Sequence, residues 1–217
     1  MIEFEPDCRL CPRLAAFRDA GKARHPDYHC APVPPFGDPD PRLFIVGLAP
    51  GFHGANATGR PFTGDYAGIW LYRALHEFGW STAPESVSAD DGLQLRGARI
   101  TNSVKCVPPA NKPTPAEIAT CNRYLTAELD GRPAGTVILS LGAIAHTAVL
   151  RACSLKPSYA KFGHGAEHAL PGGRILVNTY HSSRYNMNTG RLTEEMFRRV
   201  VARATALARA GEVNRGK

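Results

Sequence analysis

The sequence predicts an α/β fold, a three-layer α/β/α sandwich with parallel strands between two layers of helix. Three observations predict it. Four short apolar runs, residues 42–48 (RLFIVGL), 99–104 (RITNSV), 136–141 (TVILSL) and 174–180 (RILVNTY), are each bounded by Gly, Pro or polar residues. Near-continuous apolar runs of that length mark strands buried on both faces of a parallel sheet. Segments of helical periodicity lie between them, and strands that alternate with helices place helices on both faces of the sheet. Finally, 217 residues of which 43% are hydrophobic and 21% charged suffice for one domain, residues 1–217, with a real core.

In chain order, residues 21–41 are Pro-rich and read as irregular. The first strand runs into a glycine-rich stretch, GLAPGFHG, at residues 47–54. Residues 68–78 place Ile69, Leu71, Tyr72, Leu75 and Phe78 on one broad face and predict a helix, with Asp65 as a credible N-cap for a start near Tyr66. Residues 82–97 read as a surface loop. After the second strand, Thr114-Pro115-Ala116-Glu117 is a capping box with Pro at the first helical position. The helix it opens, residues 115–129, turns Ile118, Cys121, Leu125 and Leu129 inward. A helix over 143–150 follows the third strand. After the fourth, Thr193 caps a last helix carrying Met196, Phe197, Val200, Val201, Ala204 and Leu207 at helical spacing.

Composition excludes some functions. No apolar run approaches the ~18–20 residues that cross a bilayer. The first residues, MIEFEPDCRLCPR, are acidic and lack the basic start and apolar stretch of a signal peptide, so an intracellular, cytoplasmic protein is expected. Lys plus Arg is 26 against 19 Asp plus Glu, a net +7. From His181 onward eight basic and three acidic residues leave +5 in the last 37 positions. That balance fits a polyanionic partner such as nucleic acid, and equally a solvated Arg-rich helix.

Six cysteines, at 8, 11, 30, 106, 121 and 153, occur in a chain with no secretory signal, which argues against a disulfide framework. Cys8 and Cys11 form a Cys-x-x-Cys pair; Cys106 and Cys121 form a second pair, the former just after a strand, the latter on an inward helix face. Four thiolates can hold zinc or an iron–sulfur cluster, and the alternative is a pair of buried core thiols. Cys30 and Cys153 have no spacing partners.

In parallel sheets, ligands bind at the carboxyl ends of the strands. The chemically loaded segments fall there: GLAPGFHG after the first strand, Thr101-Asn102-Ser103 on the second, His181-Ser182-Ser183 after the fourth. The glycine-rich loop is neither G-x-x-x-x-G-K nor G-x-G-x-x-G, which disfavours a nucleotide cofactor. Its glycines suit close approach of backbone to a flat ligand.

Three segments, GLAPGFHGANATGRPFTGDYAG (47–68), TNSVKC (101–106) and HSSRYNMNTGRLT (181–193), resemble the family-5, or type b, uracil-DNA glycosylases of the iron–sulfur branch of that superfamily. The resemblance implies a central four-stranded parallel sheet and a 4Fe–4S cluster held by Cys8, Cys11, Cys106 and Cys121. It implies a monomeric, monofunctional DNA glycosylase that hydrolyses the N-glycosidic bond of uracil, and of hypoxanthine and xanthine, in DNA. By resemblance Asp65 is the catalytic carboxylate, His181 stabilises the leaving base anion and Asn102 reads the base edge. Gly47, Gly51, Phe52 and Phe62 are the other base-binding residues it implies. Arg184, Tyr185 and Asn186 are implied to probe the duplex, with Arg191, Arg198 and Arg199 near phosphates. Two positions depart from relatives: Leu48 stands where family-4 enzymes carry glutamate, and Ser182 where many members carry proline, which predicts a looser loop. The alternatives are a uracil-restricted, family-4-like enzyme and a non-catalytic iron–sulfur or zinc module that binds nucleic acid.

Overall fold

A computed structural model describes residues 4–213. The strands are β1 (Phe36–Gly37), β2 (Leu43–Gly47), β3 (Ala98–Asn102), β4 (Val137–Leu141), β5 (Glu167–Leu170) and β6 (Arg174–Thr179). The helices are α1 (Pro12–Arg24), α2 (Ala55–Thr58), α3 (Tyr66–Glu77), α4 (Pro115–Leu129), α5 (Ala143–Ala152), α6 (Arg184–Asn188) and α7 (Glu194–Val213). The strands form one sheet in the order β1-β3-β2-β4-β6-β5. The four expected strands make its parallel core, β2 pairing with both β3 and β4, and β4 with β6.

Alternation along β2 sorts the core into two layers. Leu43 and Ile45 face α3 and α7, meeting Leu71, Leu75, Phe197 and Val201. Phe44 and Val46 face α4 and α5, meeting Leu125, Leu129, Val149 and Ile138. Every side chain of β2 is buried, as its unbroken apolar run requires. A third cluster joins Leu14 of α1 to Val104, Cys106, Cys121 and Tyr124.

The sheet has six strands where four were expected. The added edges are antiparallel: β1 on β3 and β5 on β6. Neither carries an apolar run, because β1 is two residues long and β5 is largely exposed, with Glu167 ion-paired to Arg203 at 2.7 Å. Short, charged edge strands are held by register with a neighbour and leave little pattern in sequence.

Helix α1 is also new, and it enters the segment expected to be irregular. Its signal was Pro12 at the first position after Cys11. It buries Leu14, Ala15, Arg18 and Gly21 on one face. The predicted capping box of α4 is formed, Glu117 N–H donating to Thr114 Oγ1 and Thr114 N–H to Glu117 Oε2. No helix of the described residues is long and apolar enough to cross a membrane.

Candidate active site

The chain leaves the central β2 for β3 on one side and then crosses back past β2 to β4 on the other, so the sheet reverses its winding there. That switch opens a crevice at the carboxyl ends of the strands. A cavity of about 410 Å³ lies in it, within the usual range for a small-ligand site. Asp65, Asn102 and His181, from three separate stretches of chain, all line it, together with Gly51, Phe62 and Asn111.

Asn102 ends β3 and is 3% exposed, yet its carboxamide makes no hydrogen bond with the described residues. His181 follows β6. Its carbonyl accepts from Asn186 Nδ2 at 2.8 Å, while neither ring nitrogen has a hydrogen-bond partner among the described residues. Burial pushes the imidazole down to about 4, so it is neutral at physiological pH, with one N–H to donate and one lone pair to accept. A buried amide and a neutral imidazole left open to one hollow are prepared to meet a ligand with donors and acceptors of its own.

Asp65 is the N-cap of α3, as its position before Tyr66 predicted, and accepts from Gly68 N–H at 2.8 Å. One oxygen of the carboxylate is thus fixed by the helix while the residue faces the cavity. Burial pushes its carboxyl above the ordinary aspartate range, against the lowering pull of the Gly68 and Ala67 N–H groups. Two glycines make the close packing possible. At Gly47, register-paired with Asn102, a Cβ would sit 2.4 Å from Asn102 Oδ1 and 2.6 Å from Phe62 Cζ. At Gly68 it would sit 1.8 Å from the Phe62 carbonyl oxygen. Gly47 therefore stands behind the cavity wall and makes room for the two side chains that form it.

The uracil DNA glycosylase superfamily model matches residues 34–205. A type-5 uracil-DNA glycosylase of Thermus thermophilus is 50% identical over 206 residues, 93% of this chain and 94% of its own. The chain belongs to the uracil-DNA glycosylase superfamily. A type-5 uracil-DNA glycosylase of Pyrobaculum aerophilum is 43% identical over 205 residues, 92% of this chain and 88% of its own. A type-4 uracil-DNA glycosylase of Saccharolobus solfataricus is 31% identical over 175 residues, 77% of this chain and 74% of its own. The higher identity over more of the chain sets it with the type-5 branch.

Other residues of this superfamily member fall into two groups. Phe62 lines the cavity with its ring facing His181 across 6.1 Å. Phe52, expected at the base, does not line the cavity: its ring packs on Phe17, His25 and Tyr28 beside α1. The reason is the hollow over Gly21, which a Cβ would fill at 3.1 Å from the Phe52 ring. Tyr185, on α6, is 72% exposed. The Arg184 guanidinium lies at 5.2 Å over Tyr66, which lines the cavity, and Arg191 at 4.7 Å over Tyr180 in a neighbouring hollow that shares Leu48 and His181 with it. Asn186 is turned inward onto the His181 carbonyl. Arg198 and Arg199 are engaged with Glu77 and Glu195; Arg215 and Lys217, counted in the basic end, lie outside the described residues.

Ser182 does not loosen its loop. It is fully buried, and its hydroxyl donates to the Ala67 carbonyl at 3.1 Å, tying the His181 loop to the first turn of α3. A small donor thus replaces by hydrogen bonding the stiffness a proline ring would give. Asn111 was missed. It stands at the mouth with φ of 55°, in a turn that follows two prolines; the Pro108-Pro109-Ala110-Asn111 string marked a turn without saying where it would land.

Four thiols, Cys8, Cys11, Cys106 and Cys121, face one apolar hollow beneath α1 and α4. Among the described residues no group of three or more His, Cys, Asp or Glu is placed to hold a metal ion. Four thiols around one hollow are nonetheless a donor set of the kind that holds zinc or an iron–sulfur cluster, and Lys105 N–H donates to Cys121 Sγ at 3.3 Å. Burial, with the neighbouring thiols, pushes Cys106 up to about 12, so thiolates stand together here only around bound positive charge.

Proposed function

We propose that this chain is a monofunctional DNA glycosylase that removes uracil, and also hypoxanthine and xanthine, from DNA. The observation that carries the reading is the single cavity in which an unpartnered carboxamide, a neutral imidazole and a fixed carboxylate meet. Breaking the glycosidic bond leaves positive charge on the sugar and negative charge on the base. His181 donates its N–H to the base oxygen that gathers that charge, and stays neutral while doing so. Asn102 offers donor and acceptor to the base edge. Asp65 holds a carboxylate against the sugar, stabilising an oxocarbenium-like centre and orienting the attacking water. Phe62 stacks on the base and Gly51 lets the backbone approach it. The same groups accept a deaminated purine because its changed edge also presents a carbonyl oxygen and an N–H.

The target nucleotide is extruded from the duplex, at about a few kcal/mol. Tyr185 and Arg184 fill and flank the gap, Arg191 meets phosphate, and Asn186 holds the loop from within. Cys8, Cys11, Cys106 and Cys121 would hold a 4Fe–4S cluster, which supplies a structural cross-link between α1, the end of β3 and α4. The protein works as a cytoplasmic monomer on DNA.

The test is base release from duplexes that each carry one lesion. The parent is expected to free uracil, hypoxanthine and xanthine and to leave an uncut abasic strand. No release from any duplex overturns the reading; release of uracil alone restricts it to that base. For the cluster, anaerobically purified protein is expected to contain iron, acid-labile sulfide and broad visible absorption, all lost in Cys106→Ser. Bound zinc in place of iron overturns that part.

A further inference from the structure

The ring that faces His181 sits on an unusual backbone. Phe62 has φ of 55°, a left-handed conformation that is costly for a bulky aromatic residue, on the order of 1–3 kcal/mol. Such a conformation persists only where its surroundings over-determine it. Part of those surroundings is in residues 82–97, the segment that reads in sequence as an ordinary surface loop.

Arg60 is the centre of the arrangement and is 4% exposed. Its guanidinium donates to Asp91 Oδ1 at 2.6 Å, to Ser86 Oγ at 2.9 Å and to the Ala89 carbonyl at 2.5 Å. It also lies over the ring of Phe36, on the edge strand β1, at 4.4 Å. Asp91 in turn accepts from Val87, Ser88 and Leu93 N–H, which folds the loop around it. On the other side of Phe62, Thr63 Oγ1 and Ser86 Oγ are 2.7 Å apart, while Tyr72 of α3 donates to the carbonyl of the preceding Pro61 at 3.0 Å. Residues 60, 61 and 63 are therefore each fastened, and Phe62 hangs between them. Burial would raise the Asp91 carboxyl, but Arg60 and the three N–H groups hold it at about 2.

We infer that the loop of residues 82–97 is a brace that sets the base-facing ring of Phe62, with Arg60, Ser86 and Asp91 as positioning residues that touch no substrate. The inference deepens the proposed function and rests on it, since Phe62 matters to catalysis only if a base binds there. It assigns a role in base binding to a loop that carries no recognisable motif. Arg60 and Asp91 form a pair with both partners nearly out of water, so removing one partner would endanger the fold. The half-buried hydroxyl of Ser86 is the gentler place to cut.

The experiment is a double-mutant cycle between Ser86→Ala and Phe62→Gly, read as single-turnover uracil release from duplex. Glycine takes a positive φ without strain and has no ring, so it needs no brace. Ser86→Ala is expected to slow release by on the order of tenfold in the parent background and to change nothing beside Phe62→Gly. Ser86→Thr, which restores the hydroxyl, is expected to restore the rate. Amide hydrogen exchange across residues 59–66 is expected to rise in Ser86→Ala and to return to the parent value in Ser86→Thr. Equal losses in the two backgrounds, or unchanged exchange across that segment, overturn the brace. A parent that releases no uracil overturns the glycosylase reading instead, and the exchange comparison still judges the brace.

Discussion

His146 and Asn178 form a buried pair against the same sheet at whose carboxyl end His181 and Asn102 stand. Asn178 is on β6 and His146 on α5. Asn178 Oδ1 accepts from Ser140 Oγ at 2.6 Å and lies 2.9 Å from His146 Nδ1, while His146 Nε2 is 3.0 Å from the Ala160 carbonyl. Asn178 Nδ2 donates to the Ala166 carbonyl at 3.4 Å. Every polar side-chain atom of that pair has a protein atom within hydrogen-bond distance. In the cavity, the Asn102 amide and both nitrogens of His181 have no hydrogen-bond partner among the described residues. Both pairs are one carboxamide and one imidazole, and the difference lies in what surrounds them. A satisfied pair fixes the fold by cross-linking α5 to β4 and β6, whereas an unsatisfied one bears a desolvation cost that a ligand can relieve.

The largest effects should fall on the unsatisfied pair. His181→Ala and Asn102→Ala are each expected to slow single-turnover base release by about 10²–10³-fold, the usual cost of removing one preorganised donor. Their melting temperatures should stay close to the parent's, since neither side chain has a hydrogen-bond partner to lose among the described residues. A large loss of stability would show that the two groups belong to the fold. Next, Asn178→Ala and His146→Ala should reverse the pattern. Each leaves a buried group unpaired and is expected to cost about 1–3 kcal/mol in denaturant unfolding, with the release rate of the folded fraction little changed.

The pH profile sharpens the contrast. Neutral His181 and ionised Asp65 are both lost on acidification, so release is expected to fall only on the acid side, with no second loss near neutrality from His181. For stability the sign follows from the depressed histidine. Between about 6.5 and about 4 the unfolded chain binds the proton that the folded His181 refuses, so stability declines as pH falls through that window. His181→Asn should flatten this slope in urea titrations run at stepped pH. The smallest effect is at the helix cap. Asp65→Asn keeps an N-cap acceptor and should leave stability within a few tenths of a kcal/mol, whereas Asp65→Ala should cost about 1 kcal/mol. Release should be impaired in both, which separates the cap from the chemistry.

Much of this was legible in the residues. The capping box of α4 and the N-cap at Asp65 were readable because their determinants lie within three residues of each other. The four core strands were readable because burial on both faces forces an unbroken apolar run. Strands β1 and β5 were not, because their pairing depends on a neighbour's edge. Phe52 misled because a Phe in a glycine-rich loop is equally suited to a base or to α1, and the packing beside Gly21 decided it. Asn111 and Ser182 needed coordinates, since a turn residue and a small hydroxyl carry no address.

The chain's own residues determined the parallel α/β core and the set of groups brought to its carboxyl end, through periodicities that act over a few positions. Tertiary structure alone decided that the histidine and the asparagine of the cavity lack hydrogen-bond partners among the described residues, and which distant loop props the ring beside them. Hydrogen-bond satisfaction and backbone strain depend on what the rest of the fold supplies at a point in space, and no local pattern encodes that.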